Sequence, residues 1–156
     1  MRGLRAWAAA ATAALALAGC ASVPQASRER DAEAKRFLAR PDAATLYVFR
    51  NDFGQADWDL EESVLYVDGR IIGGTLPGTF FRIDLRAGTH LLHGFGYDQG
   101  RLKVEVRSGK IRFVSLNVAN GTSEFERAAP ETAKAEIARC CVLLENWTAG
   151  QRPLLR

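Results

Sequence analysis

The sequence predicts a mainly β protein: an antiparallel β-sandwich of about seven strands, closed by a C-terminal α-helix and preceded by a signal peptide and a polar tether. Three observations carry that prediction. Short alternating segments recur with turn signals between them, which is the spacing of a sandwich rather than of βα units. Asp68-Gly69 stands between Val64-Leu65-Tyr66-Val67 and Arg70-Ile71-Ile72, where a two-residue hairpin turn needs positive φ at both central positions. The length of 156 residues suffices for one domain with a real core and is short for two.

Taken in order, the chain opens with Arg2 and Arg5 ahead of an apolar run from Ala6 to Ala18 that ends in Leu17-Ala18-Gly19-Cys20. A basic start, a short apolar region and small residues at the cut are the layout of a secretory signal peptide, here residues 1–19. The run falls short of the roughly 20 apolar residues of a membrane-spanning helix. Leu17, Ala18 and Gly19 before Cys20 resemble the bacterial lipobox, in which the cysteine is lipidated and becomes the first residue after cleavage. The resemblance implies a mature chain of 137 residues (156 minus 19) with lipid on Cys20. Ala21, rather than Asp, after the cysteine implies the outer membrane, facing the periplasm, in a Gram-negative host. The alternative is a plain cut near Ala18 that leaves Cys20 as a free thiol.

Residues 20–41 read as a lipidated tether, polar and charge-mixed, with helix possible from Ser27 to Ala39. Pro41 disfavours helix at Arg40 and marks the start of a domain expected over residues 42–149. Thr45 to Arg50 is the first strand, with Leu46, Val48 and Arg50 opposite Thr45, Tyr47 and Phe49. The connection 51–62 gathers Asp52, Asp57, Asp59, Glu61 and Glu62 around Trp58. Five acids could begin a calcium site, but the glycine and terminal glutamate of an EF-hand loop are missing, so an acidic surface loop is the expectation. Trp58 in such a loop either folds back onto the core or contacts a partner.

Thr79 to Leu85 alternates, with Phe81, Ile83 and Leu85 on one face and Phe80, Arg82 and Asp84 on the other. Thr89 to Phe95 returns. In Arg101 to Arg107 the residues Leu102, Val104 and Val106 face inward and the charged ones face water. Ile111 to Val118 suits a sheet covered on both faces. Asn120-Gly121 is expected to close the sheet region. Pro130 then opens a helix to about Trp147, with Ala133, Ile137, Cys140, Cys141 and Leu144 along one arc.

Little chemistry is legible. Removing Arg2 and Arg5 leaves 19 basic against 18 acidic residues, and the Arg residues are scattered along the sequence, which argues against nucleic acid as a partner. His90 and His93, three apart on a strand, point to opposite faces, so no shared metal is expected. No serine elbow, phosphate-cradling loop or Cys-x-x-Cys spacing occurs, so no catalytic residue, metal or other cofactor is assigned. Adjacent Cα atoms lie about 3.8 Å apart, below the usual disulfide range, and helix geometry turns neighbouring side chains about 100° apart. Cys140 and Cys141 are therefore expected as two small buried hydrophobic residues.

Leu46-Tyr47-Val48-Phe49-Arg50, Val67-Asp68-Gly69, Gly78-Thr79-Phe80-Phe81, Ala87-Gly88-Thr89-His90 and Gly109-Lys110 occur in an order that resembles a bacterial lipoprotein domain, the domain of unknown function of family 2846. The Val-Asp-Gly and Gly-x-His pieces are also similar to PEGA-type, transthyretin-like sandwiches. Ala87 stands where that family tends to have proline, and Ile111-Arg112-Phe113 replaces an aromatic pair. The resemblance implies a β-sandwich from about Ala44 to Val118 and no established activity. The expected function is a non-catalytic binding or structural role in the cell envelope. Its anchor is lipid on Cys20, its partner an envelope protein or peptidoglycan, and Trp58 is a candidate contact. A periplasmic enzyme or enzyme inhibitor acting from the acidic loop 51–62 is the alternative.

Overall fold

The computed structural model describes residues 23–50, 63–94, 100–119 and 122–146. Along the chain these form α1 (Arg28–Ala34), β1 (Ala44–Arg50), β2 (Ser63–Val67), β3 (Arg70–Thr75), β4 (Thr79–Leu85), β5 (Gly88–His93), β6 (Leu102–Val106), β7 (Ile111–Ala119), β8 (Thr122–Arg127), α2 (Pro130–Cys140) and β9 (Val142–Leu143). Five strands in the order β8-β7-β1-β4-β9 face four in the order β3-β2-β5-β6. The fold class is the expected one, mainly β with a helix toward the C-terminus.

Side-chain alternation explains the layers. Leu46 and Val48 of β1, and Phe81, Ile83 and Leu85 of β4, fill the space between the sheets with Leu65, Val67, Leu92, Val104 and Val106. Tyr47, Phe49, Phe80 and Phe113 leave the five-stranded sheet on its other side, where Ala133 and Ile137 of α2 and Ala34 of α1 cover them. All seven residues of β1 are buried, which is why its sequence is apolar in near-continuous run. At the β2–β3 turn Asp68 and Gly69 take φ of 52° and 74°, the positive pair that the hairpin requires.

Leu85 is fully buried and Arg86 exposed, one step along the same chain. Leu85→Ala is expected to destabilise by about 2–5 kcal/mol in denaturant titration. Arg86→Ala is expected to stay within about 0.5 kcal/mol. Equal losses would contradict the register.

Several expectations are corrected. The sandwich is not purely antiparallel: β1 pairs parallel with β7, placing Tyr47 beside Phe113, and β4 pairs parallel with β9. The chain crosses from β6 in one sheet to β7 in the other at the turn where Gly109 N–H donates to the carbonyls of Arg40 and Ala43. Secondly, Asn120-Gly121 does not end the sheet, because Thr122–Arg127 adds β8 antiparallel to β7. Only Ser123 and Phe125 of β8 are buried, a pattern too sparse to mark it as a strand in the sequence.

Thirdly, the helix stops at Cys140 rather than near Trp147. Cys141 is extended (φ −115°, ψ 147°), and Val142 N–H and Leu144 N–H donate to the carbonyls of Gly78 and Phe80. The apolar positions read as one helical arc are indeed buried, but Cys141 and Leu144 reach the interior from extended chain. Cys140 and Cys141 are joined in a disulfide with Cα atoms 3.7 Å apart, contrary to the expectation of two thiols. The expectation assumed helix through both residues. Since the helix ends between them, the 100° separation no longer applies.

Fourthly, the segment expected as a tether belongs to the folded body from Val23 onward. Val23 is buried in the core between the sheets. Ala26 N–H donates to Leu143 C=O, Glu145 N–H to Pro24 C=O, and Gln25 bridges Leu144 antiparallel. Ser27 then caps α1 by accepting from Arg30 N–H, satisfying one of the orphan donors of the first turn. Phe37 leaves the helix at φ 50°, a conformation that costs a non-glycine residue. Its ring packs 5.4 Å from Tyr47 and 5.9 Å from Phe113, which offsets that cost.

Candidate functional site

The two ends of the sandwich differ. One carries the β2–β3, β4–β5 and β6–β7 turns, all short; at the other stand the β3–β4 turn and the residues that flank the connections 51–62, 95–99 and 120–121, the first of them long.

At the short-turn end a polar cavity of about 360 Å³ lies between the α1–β1 connection and β4, lined by Glu33, Leu38, Ala39, Arg40, Arg82 and Asp84. Arg40 Nη1 donates to Asp84 Oδ2 at 3.0 Å and Nη2 to Asp42 Oδ2 at 2.5 Å. The bond to Asp42, and then Asp84, raises the Arg40 pKa above the usual arginine value. Thr45 Oγ1 donates to the other oxygen of Asp84 at 3.0 Å. Arg82 Nε is buried with no hydrogen-bond partner among the described residues, and a donor of that kind takes an acceptor oxygen. Beneath the cavity Tyr47 donates its hydroxyl to Ala34 C=O at 2.7 Å. Burial pushes that phenol up to about 12, Arg82 pulls it down, and Asp84 and Glu33 add to the rise. With two guanidinium groups and two carboxylates, the cavity can hold a small polar group by hydrogen bonds.

On the neighbouring turns His90 Nδ1 lies 2.6 Å from Asp68 Oδ2 and Nε2 lies 2.9 Å from Arg86 C=O. Asp68 Oδ1 also accepts from Leu91 N–H. Both ring nitrogens of His90 are thus engaged in tying the β2–β3 and β4–β5 turns together. His93 serves a different contact, stacked on Tyr66 with ring centroids 4.7 Å apart. The two histidines do not converge. Among the described residues no group of three or more His, Cys, Asp or Glu side chains is placed to hold a metal.

At the long-connection end Ser63 Oγ and Ser123 Oγ lie 2.7 Å apart in the interior. A Cβ on Gly94 would fall 2.4 Å from Ser123 Oγ, and one on Gly100 would fall 2.0 Å from Ser123 C=O. Glycine is required at both positions by close approach, and at Gly100 by a φ of 55° as well. Ser63 follows the connection 51–62, Gly94 and Gly100 flank 95–99, and Ser123 follows 120–121. The anchors of all three connections therefore meet at one place. Sequence reasoning missed this grouping, although Gly94 and Gly100 are its visible trace.

Of the residues singled out in the sequence, Leu17, Ala18, Gly19, Cys20, Trp58 and the acids of 51–62 lie outside the described residues.

No family model matches the chain, and no solved structure matches it. Over 133 residues it is 32% identical to a protein of Haemophilus influenzae described as "Uncharacterized protein", a match spanning 81% of this chain and 77% of that one. The chain belongs to the family of that protein. Strands of the two sheets alternate along the sequence, so a match of that extent takes in both sheets.

Proposed function

We propose that this protein is a lipid-anchored component of the cell envelope with a non-catalytic binding or structural role. Lipid on Cys20 holds it in the membrane, and Ala21 assigns it to the outer membrane, facing the periplasm. The observation that carries this reading is the order of residues at the N-terminus. Leu17-Ala18-Gly19-Cys20 closes an apolar run, and Val23, three positions later, is already part of the core. The Cys140–Cys141 disulfide supports an oxidising compartment, where such bonds persist. The meeting of three connections at one end supports recognition of a partner there, since binding residues concentrate on loops held by a rigid scaffold. Trp58 is the candidate contact, and an envelope protein or peptidoglycan is the partner class. The resemblance to family 2846 agrees with this role.

Cys20→Ser is the test. The variant is expected to fold with an unchanged melting temperature and to move from the membrane pellet to the soluble fraction, because only the anchor is lost. A variant still pelleting with membranes after a high-salt wash would overturn the anchor.

A further inference from the structure

The charged residues that look scattered in the sequence are sorted by the fold. At the short-turn end seven basic side chains (Arg40, Arg70, Arg82, Arg86, Arg107, Lys110 and Arg112) accompany five acidic ones (Glu33, Asp42, Asp68, Asp84 and Glu105). Backbone and side-chain contacts draw them together. His90 joins the Asp68 turn to Arg86, Gly88 pairs with Val106 next to Arg107, and Gly109 bonds to Arg40. Four of these acids have a partner within the same end: Asp42 and Asp84 bond to Arg40, Asp68 to His90 and Glu105 to Arg107. Arg70, Arg86, Arg107, Lys110 and Arg112 are all exposed. The connection 51–62, whose anchor Ser63 sits at the opposite end, contains five acids and no base. Among the described residues, the short-turn end carries a net positive charge, seven basic side chains against five acidic.

The direction of the N-terminal segment points to the same end. β9 runs parallel to β4, with Leu143 beside Phe80, and Gln25 bridges Leu144 antiparallel. Continuing that register puts Val23 level with Ile83, two residues short of Leu85 at the short-turn end. Only Ala21 and Ser22 separate Val23 from Cys20. Three residues of chain span at most about 10 Å. A lipid on Cys20 is therefore held within about 10 Å of Val23.

We infer that the short-turn end is a membrane-facing surface that docks on anionic phospholipid headgroups, and that the opposite end, where Ser63, Gly94, Gly100 and Ser123 meet, is thereby held away from the bilayer. This rests on the lipid anchor proposed above. Each Arg or Lys near an anionic surface raises partition about fivefold, and the effect fades within a Debye length, about 10 Å at 0.1 M salt. The short reach from Val23 to Cys20 keeps the basic end within that range.

The test uses the mature chain, residues 20–156, carrying Cys20→Ser, so that neither lipid nor the apolar run before it can mask weaker contacts, with vesicles of phosphatidylcholine alone or mixed with phosphatidylglycerol. Expected is co-sedimentation with the anionic vesicles only, lost as salt is raised. Arg86→Gln, Lys110→Gln and Arg112→Gln together should weaken it by roughly a hundredfold, from three charges at about fivefold each. If that variant melts below the parent, the salt dependence of the parent decides alone. Equal binding to both vesicle types, binding insensitive to salt, or capture by isolated peptidoglycan with no vesicle preference would overturn the inference. In the lipidated protein, a benzophenone side chain at Ser108 should crosslink to phospholipid and one at Thr122 should not; the reverse pattern would overturn it. The mass of the N-terminal peptide keeps the two readings apart. Acylated Cys20 without anionic preference rejects the docking face and leaves the anchor, whereas unmodified Cys20 with anionic preference rejects the anchor and supports the face.

Discussion

Phe80→Ala and Phe81→Ala should each destabilise the protein by about 3–5 kcal/mol, although the two side chains leave β4 in opposite directions. In a sandwich with one wet face, only one of two neighbouring residues on a strand is costly to truncate. Here Phe81 is fully buried between the sheets, while Phe80, 1% exposed, lies under the helices with Tyr47 stacked 6.0 Å away. Each substitution removes an aromatic ring from a packed interior and leaves a cavity that its neighbours fill only in part. Chemical denaturation of the two variants measures the losses directly. A Phe80→Ala loss below about 1 kcal/mol would mean that the helices do not cover the sheet, and the three-layer arrangement would fall.

Tyr47→Ala should cost a similar amount, about 3–5 kcal/mol, because its ring sits at the centre of the outer core among Phe37, Phe80 and Phe113. Its hydroxyl adds a pH dependence. The phenol titrates near its ordinary value of 10 in the unfolded chain, and burial raises it to about 12 in the fold. The neutral form is the one that the fold prefers. Its contribution is complete below pH 10 and is lost as pH rises through 12, amounting to at most about 3 kcal/mol. Tyr47→Phe keeps the ring and forfeits the hydrogen bond to Ala34, a loss of about 1–2 kcal/mol at neutral pH. The gap between parent and Tyr47→Phe should therefore close as pH passes from below 10 to above 12. Denaturation curves whose separation stays constant over that range would show that the hydroxyl is not buried as described.

The sequence by itself determined the alternation of the strands, the Asp68-Gly69 turn and the fold class. These depend on neighbours within a few residues: side chains on a strand change face at each step, and a turn with two positive φ values selects its residues locally. Phe80 against Phe81 and Leu102, Val104 and Val106 were legible for that reason, and all five lie on the faces expected of them. The lipobox was legible as a local motif, and its function is a proposal.

Only the tertiary structure decided where the chain departs from its local pattern. A helical arc through Ala133, Ile137, Cys141 and Leu144 fits the sequence, yet the edge of β4 offered unpaired backbone groups. Pairing Val142–Leu143 with that edge satisfied them and ended the helix at Cys140. That new strand supplied the partner for Pro24 to Ala26, turning a polar segment expected as a tether into part of the body. No local signal could have announced it, since the docking partner lies more than a hundred residues away. The same holds for charge. Arg70, Arg86, Arg107 and Lys110 are separated by ordinary strand sequence and look evenly spread, and the fold brings them to one end because each sits at a turn between strands that run back and forth along a single axis.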